Sequence, residues 1–214
     1  MIEKIIDKKT SQLLEELKAD FQIDFEEKNI NYCEMFQING TAKIYFNPAI
    51  IDTETITHEL LHIWLNKYNY RIGNYIYMVC SENKKLGKIF TKFLCDYIEN
   101  CFDHNKMYPK YLEMGYSPEK FIVNGLGEKC YIKDIKSINL KFLGTYNSNS
   151  INRYIGNLIS IYADHVDNDY TEHLKLLREK DDSLFSIVTD FWNSWINFDI
   201  TNIDPIFNSD IELS

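Results

Sequence analysis

The stretch Thr55-Ile56-Thr57-His58-Glu59-Leu60-Leu61-His62-Ile63-Trp64 contains two histidines four residues apart, with a glutamate directly after the first. Its apolar residues recur at helical spacing. Asp52 and Thr53 stand just before it, and both residue types are common at helix N-caps. We therefore predict an amphipathic helix that starts after these residues and extends to about Tyr68.

The two histidines of this helix form the pattern HExxH. Residues four apart lie on one face of a helix, so the imidazoles of His58 and His62 can bind one metal ion. Zinc suits two neutral imidazoles and one further protein ligand, with the fourth position open to water. Glu59 would lie beside that water and accept its proton during attack on a carbonyl. The pattern predicts a zinc-dependent hydrolase that uses a metal-bound water activated by Glu59.

A third zinc ligand is expected on a second helix, predicted from Lys85 to about Asn105. Near its end, Glu99 and Asp103 share one face, while His104 lies on the adjacent face. An anionic ligand offsets part of the charge of Zn²⁺, which favours Asp103. His104 is the second candidate and Glu99 the third.

The HExxH helix follows a strand-like segment, Ala42 to Asn47, and this arrangement resembles the zincin metallopeptidases. The resemblance covers roughly Thr41 to Gly115. It implies an active-site helix packed beneath a small sheet, an edge strand lining a substrate cleft, and peptidase activity. Leu65 and Tyr68 occupy the positions of the glycine and the third histidine that metzincins need. The NExxSD motif of thermolysin-like enzymes is also missing, so the resemblance lies outside both branches.

The predicted fold is α+β and mostly helical, with a small antiparallel sheet packed on the active-site helix and a helical C-terminal half. We expect one domain over 1–214, made of a helix and sheet (1–50), the metal-site helices (51–116) and a helical part (117–214). The predicted elements outside the metal-site helices are a helix over 2–17, a strand over 21–25, a hairpin at Asn39-Gly40, a short β element near Tyr131, and helices over 150–166, 171–180 and 183–195.

Composition limits the partners and the compartment. With 23 Lys and Arg against 32 Asp and Glu, the net charge is 23 − 32 = −9. This balance predicts no nucleic-acid partner and no membrane partner, and leaves a peptide or protein substrate as the expected partner. The five cysteines are irregularly spaced and contain no CxxC pair, which is typical of a reducing compartment. Without a signal-peptide pattern at the N-terminus, a cytoplasmic location is expected.

Two alternatives remain open at this point. The chain can be a catalytically inactive zincin-like module that binds or regulates, or a metal-free helical interaction protein in which the motif is accidental. Two further acid–histidine pairs, Asp164-His165 and Glu172-His173, are interpreted as features of helix surfaces rather than as ligands.

Overall fold

The computed structural model describes residues 2–38, 40–68, 71–122 and 127–201. The prediction of a mostly helical α+β fold is confirmed. The helices are α1 (Lys8–Leu17), α2 (Thr53–Leu65), α3 (Ile72–Ser81), α4 (Leu86–Ile89), α5 (Lys92–Glu113), α6 (Ile132–Lys136), α7 (Ser148–Tyr162), α8 (Thr171–Lys180) and α9 (Asp182–Ile196). The strands are β1 (Gln22–Glu27), β2 (Glu34–Ile38), β3 (Thr41–Phe46), β4 (Lys141–Phe142) and β5 (Thr145–Tyr146).

The described residues group into two compact units that do not follow sequence order. The first unit contains residues 2–68 and 106–122, and the second contains residues 71–105 and 127–201. Helix α5 contributes to both, because the division after Asn105 falls inside this continuous helix. The single domain expected over 1–214 stays a prediction.

A three-stranded sheet in the first unit has the order β1–β3–β2. Central strand β3 buries Ala42, Ile44 and Phe46, which alternate with residues on the opposite face. Strand β2 runs antiparallel to β3 in the register expected of a hairpin, so that prediction is confirmed. In the turn, Gly40 has a φ of 78°, which glycine adopts without steric strain; Asn39 lies outside the described residues.

The prediction that the whole sheet is antiparallel is wrong, because β1 runs parallel to β3. The segment after β1 passes to the far edge of the sheet, where β2 lies, and the hairpin then returns β3 to the centre. The chain thus reverses direction twice between β1 and β3, and these two strands point the same way. Alternating polarity identifies a half-buried strand but does not reveal the direction of its neighbour.

Helices α1 and α2 pack together in the first unit. The side chain of Asp52 caps α2 by accepting a hydrogen bond from the backbone N–H of Thr55 at 3.0 Å, as the sequence predicted. The opening helix begins later than expected. Residues 2–4 form a 3₁₀ turn, and α1 starts after Asp7, whose carboxylate accepts from the backbone N–H of Thr10 at 2.8 Å.

The second unit contains α3, α4, the first part of α5, and α6 to α9. Its core includes Phe102 stacked on Trp195, with ring centroids 4.7 Å apart. The three helices expected after residue 150 are confirmed as α7, α8 and α9. The β element expected near Tyr131 is wrong, since helix α6 follows that residue. The isoleucines at 132, 135 and 138 recur every third residue, which suits a helical turn and not a strand.

Among the residues that the structure describes, no helix combines the length and the apolar character needed to cross a membrane.

Candidate metal centre

Helix α2 carries His58, Glu59 and His62 on a rigid support. Its residues Ile56, Leu60, Leu61 and Ile63 have no exposed surface, so one side of the helix is fixed in the core. At the N-terminal end, the ammonium group of Lys120 lies 2.9 Å from the carboxylates of both Asp52 and Glu54. The histidines and Glu59 are only partly buried, and are therefore presented by the helix rather than packed into its core.

The imidazoles of His58 and His62 are neighbours on one helix face, as their spacing predicted. Their ring centroids lie 5.1 Å apart with an interplanar angle of 74°. Phe121 lies on the far side of His58, with ring centroids 5.0 Å apart. The ring of Phe121 restricts the rotamers of His58, and the two imidazole nitrogens of His58 are the polar atoms of this contact.

Helix α5 presents His104 on the face that also carries Met107, Tyr108 and Tyr111. Met107 and Tyr111 are fully buried, and the rings of Tyr108 and Tyr111 each lie 5.0 Å from the ring of Phe121. Phe121 also touches His58, so this face of α5 is packed towards the same aromatic group as α2. His104 stands one turn before Tyr108 on a continuous helix, and that position is consistent with its inclusion in the histidine group.

The ligating atoms of His58, His62 and His104 all lie within 4.8 Å of one another. His104 is buried, with 8% of its surface exposed, and the other two are partly buried. Two nitrogen ligands of one tetrahedral zinc ion stand about 3.4 Å apart, from the usual Zn–N distance. Three imidazoles at this separation fit a zinc site with small side-chain adjustments, and they leave one coordination position for water.

Glu59 has the electrostatic environment of a proton acceptor. Removal from water raises the pKa of its carboxyl, nearby His62 lowers it and the charge of Glu34 raises it, so that the pKa is about 7. A carboxyl with a pKa near the working pH can both take up and release a proton. This position agrees with the role that the HExxH pattern predicts for Glu59.

Cys33 and Glu34 also lie near Glu59, which the sequence did not reveal. Burial and then the charge of Glu59 raise the pKa of the Cys33 thiol. Strand β2 is held beside α2 by a hydrogen bond from the side-chain amide of Asn66 to that of Gln37, at 2.6 Å. Cys33 directly precedes β2, and its place at the start of the edge strand beside α2 is the signal that could have identified it as a neighbour of the site.

Asp103 does not belong to the group that the histidines form, although it was the preferred third ligand. Adjacent residues of a helix point about 100° apart, so His104 and Asp103 cannot share one direction. The carboxylate of Asp103 instead acts on Glu99, whose pKa is raised to about 7, first by burial and then by this like charge. Glu99 packs against Gly73 of α3 in the second unit. The structure thus brings His104, and not Asp103 or Glu99, to the histidines of α2.

The remaining two histidines lie in the second unit. The interpretation of their acid–histidine pairs as surface features is wrong for His173, which is 4% exposed, and for Asp164, whose side chain is 2% exposed, whereas Glu172 is exposed. The carboxylate of Asp164 accepts hydrogen bonds from the Tyr170 hydroxyl at 2.7 Å and the Asn168 amide at 2.8 Å. Asp164, Asn168 and Tyr170 thus form a structural polar network. Neither His165 nor His173 belongs to the histidine group on α2 and α5.

No protein-family model matches the chain, and no curated protein or solved structure matches it either. The resemblance to zincins therefore rests on the residues and geometry of α2 and α5.

Proposed function

We propose that this protein is a zinc-dependent hydrolase of the zincin type and that it cleaves peptide bonds. The observation that carries the proposal is the meeting of His58, His62 and His104, with ligating atoms within 4.8 Å, directly beside the acidic Glu59. A helix needs neither two histidines on one face nor a third from another helix for its stability, whereas a zinc site needs all three.

The three histidines would hold the ion through neutral imidazole nitrogens. This ligand set is suited to zinc and leaves its charge at +2, because none of the donors is anionic. When bound, zinc supplies a Lewis acid that polarises a carbonyl group and makes water more acidic. His104 is the third ligand in this proposal, with Asp103 as a neighbour outside the ligand set.

Glu59 performs the proton transfers. Its carboxylate accepts a proton from the attacking water, and the same carboxyl then donates that proton to the nitrogen of the departing amine. Burial supports this double role, because it brings the pKa of Glu59 to about 7. Ordinary exposed glutamates have a pKa near 4.3 and would be weak proton donors at neutral pH.

Strand β2 supports a peptide as the substrate class. It lies at the edge of the sheet, paired with β3 on one side, and the Gln37–Asn66 hydrogen bond holds it beside α2. An extended peptide can pair with the backbone of an edge strand and so be placed along the metal-site helix. We propose the cytoplasm as its location, on the composition given above and on five cysteines that are all free thiols.

The test combines metal content with hydrolysis of a peptide mixture. We expect about one zinc per chain in the purified protein, as in other single sites of this type. Glu59→Gln should keep the zinc and the fold while lowering hydrolysis by roughly 10²-fold or more, the usual loss of a positioned general base. Glu54→Gln is the matched control, since Glu54 is on the same helix but pairs with Lys120. It should retain full activity.

The outcomes separate the alternatives. Zinc without hydrolysis under conditions that preserve the fold would indicate a binding or regulatory module. Absence of zinc after purification and after reconstitution would indicate a metal-free interaction protein and overturn the proposal. Equal rates for the wild type and Glu59→Gln would show that the base is another residue.

A further inference from the structure

The outer face of helix α3 is unusual for a surface helix. Its ten residues, Ile72–Ser81, include no charged side chain. One face packs on α5, since a Cβ on Gly73 would stand 2.5 Å from the carbonyl oxygen of Cys95. The other carries Tyr75, Met78 and Val79 at positions i, i+3 and i+4, all exposed. Surface helices normally present charged residues to water, so this apolar face needs an explanation.

Basic residues follow directly in the sequence and in the same unit. Lys84, Lys85 and Lys88 occupy the turn after α3 and the short helix α4, and Lys92 begins α5. The segment 72–93 contains four lysines and one acidic residue, Glu82, so its charge is 4 − 1 = +3. The rest of the chain then carries −9 − 3 = −12. The segment 72–93 is therefore positively charged, while the rest of the sequence is strongly negative.

Exposed apolar side chains accompany these lysines. Leu86 of α4 is exposed, and Phe93 in the first turn of α5 is 83% exposed. An almost fully exposed phenylalanine in an ordered helix is uncommon, because burial of such a ring is favourable by about 2 kcal/mol. We call the exposed residues Tyr75, Met78, Val79, Leu86 and Phe93, with lysines 84, 85 and 88, the lysine–aromatic surface. Lys92 is paired with Asp96 and is not counted in it.

Hydrogen bonds hold this surface in a fixed arrangement within the second unit. The ammonium group of Lys92 donates to the side-chain oxygen of Asn74 at 2.9 Å, linking α5 to α3, and also forms an ion pair with the carboxylate of Asp96. The amide of Asn152 on α7 donates to the carbonyl oxygen of Ile89 at 2.6 Å and lies 3.3 Å from the hydroxyl of Thr91. The turn between α4 and α5 is thus fixed on α7.

We propose that the lysine–aromatic surface docks the protein onto anionic lipid bilayers. Lysines are attracted to acidic headgroups, and exposed aromatic and aliphatic side chains can enter the boundary with the acyl chains. The absence of a membrane partner was inferred from the average charge of the chain, which conceals this local excess. The proposal does not depend on zinc or on hydrolysis.

The test is co-sedimentation of the 214-residue chain with vesicles. One set contains phosphatidylcholine alone, and the other contains phosphatidylcholine with about 30% phosphatidylserine, which provides the anionic surface potential. We expect binding to the anionic vesicles only, and weaker binding as salt is raised. Lys84→Glu/Lys85→Glu should weaken binding by at least roughly 25-fold, since each lysine near such a surface contributes about fivefold.

Two further variants separate the contributions. Phe93→Ser should weaken binding by about tenfold or more, through loss of a buried ring. Lys133→Glu/Lys175→Glu makes the same change in net charge at exposed lysines on α6 and α8, and should bind almost as the wild type does. Circular dichroism and thermal unfolding confirm that each variant is folded.

Three results would overturn the proposal. The first is no binding of the wild type to anionic vesicles, or equal binding to both vesicle types. The second is an equal loss in the two double-lysine variants, which would show an effect of net charge alone. The third is a dimer in solution that Phe93→Ser dissociates while vesicle binding is unaffected, which would make this surface a contact between copies of the chain.

Discussion

The hydroxyl oxygens of Thr10 and Thr57 lie 2.6 Å apart in the buried contact between α1 and α2. Thr57 also donates to the backbone carbonyl of Thr53 at 2.8 Å, and the hydroxyl of Thr10 lies 2.6 Å from that of Tyr116. Thr57 directly precedes His58. The hydrogen bond to α1 therefore fixes the turn of α2 that carries the first proposed zinc ligand.

This contact predicts a non-additive pair of substitutions. Thr57→Val removes one of the two hydroxyl partners of Thr10 and leaves Tyr116 as the other, so it should lower the free energy of unfolding by about 0.5–1.5 kcal/mol. Thr10→Val should have a similar cost. In the double variant neither hydroxyl remains, so its cost should be clearly less than the sum of the two. Urea unfolding of the four proteins measures this, and fully additive costs would mean that the two hydroxyls do not interact.

Gly73 should not tolerate a side chain. An added Cβ would lie 2.5 Å from the carbonyl oxygen of Cys95 and 2.7 Å from the Cβ of Glu99, so helices α3 and α5 would have to separate. We expect Gly73→Ala to lower the free energy of unfolding by roughly 1–3 kcal/mol, the range for overpacking a core.

Gly156 of α7 is the matched control for that substitution. Its added Cβ would meet only the Cδ1 of Leu94 at 3.5 Å, which is ordinary van der Waals contact. Alanine is favoured over glycine inside a helix by about 0.5–1 kcal/mol, so Gly156→Ala should be neutral or stabilising. If both variants lose the same free energy of unfolding in urea, the close approach of α3 to α5 is not the reason that position 73 requires glycine.

The helix that bears HExxH was predictable because several local signals agree. Asp52 caps it, its apolar residues repeat at helical spacing, and its two histidines share a face for reasons of helix geometry alone. The direction of β1 was not predictable, since it depends on where the chain returns after β2. Local patterns predict elements, whereas strand order is decided by contacts distant in sequence.

The choice between Asp103 and His104 shows the same limit. From the sequence, charge favoured Asp103, and both residues lay at the end of one predicted helix. What decides between them is the rotation of α5 about its axis. That rotation follows from the burial of Met107 and Tyr111 and from the contact between Tyr111 and Phe121, which follows α5 in the sequence. The helix also continues through Pro109 to Glu113, further than expected, and so carries these buried residues.

His165 should make stability depend on pH. Burial lowers its pKa to about 4, from an ordinary value of 6.5 that the unfolded chain would show. Between these values the unfolded state binds a proton that the folded state does not, so stability rises with pH and is lost as pH falls from 6.5 towards 4. The contribution lost should be about 2 kcal/mol at pH 5 and at most about 3 kcal/mol at lower pH.

The variant His165→Gln isolates this effect from the carboxyl groups that titrate nearby. It cannot take up the proton, so its free energy of unfolding should fall less than that of the wild type between pH 7.5 and pH 5. Denaturant unfolding at both values gives the difference. Parallel pH profiles for the two proteins would show that His165 is accessible to protons in the folded state.

His104→Ala and Asp103→Ala form a matched pair of neighbours on α5 that tests the proposed ligand set. The ligating atoms of His104 lie within 4.8 Å of those of His58 and His62, whereas Asp103 is outside this group. Loss of a direct ligand should weaken zinc binding by well over the roughly 10–100-fold that follows loss of an outer partner. Competition with a chromophoric chelator measures both affinities, with His62→Ala as the reference for a lost ligand. We expect His104→Ala to match His62→Ala, and Asp103→Ala to stay close to the wild type. The reverse order would assign the third position to the carboxylate, and would require α5 to be rotated by about 100°, the angle between adjacent helical residues.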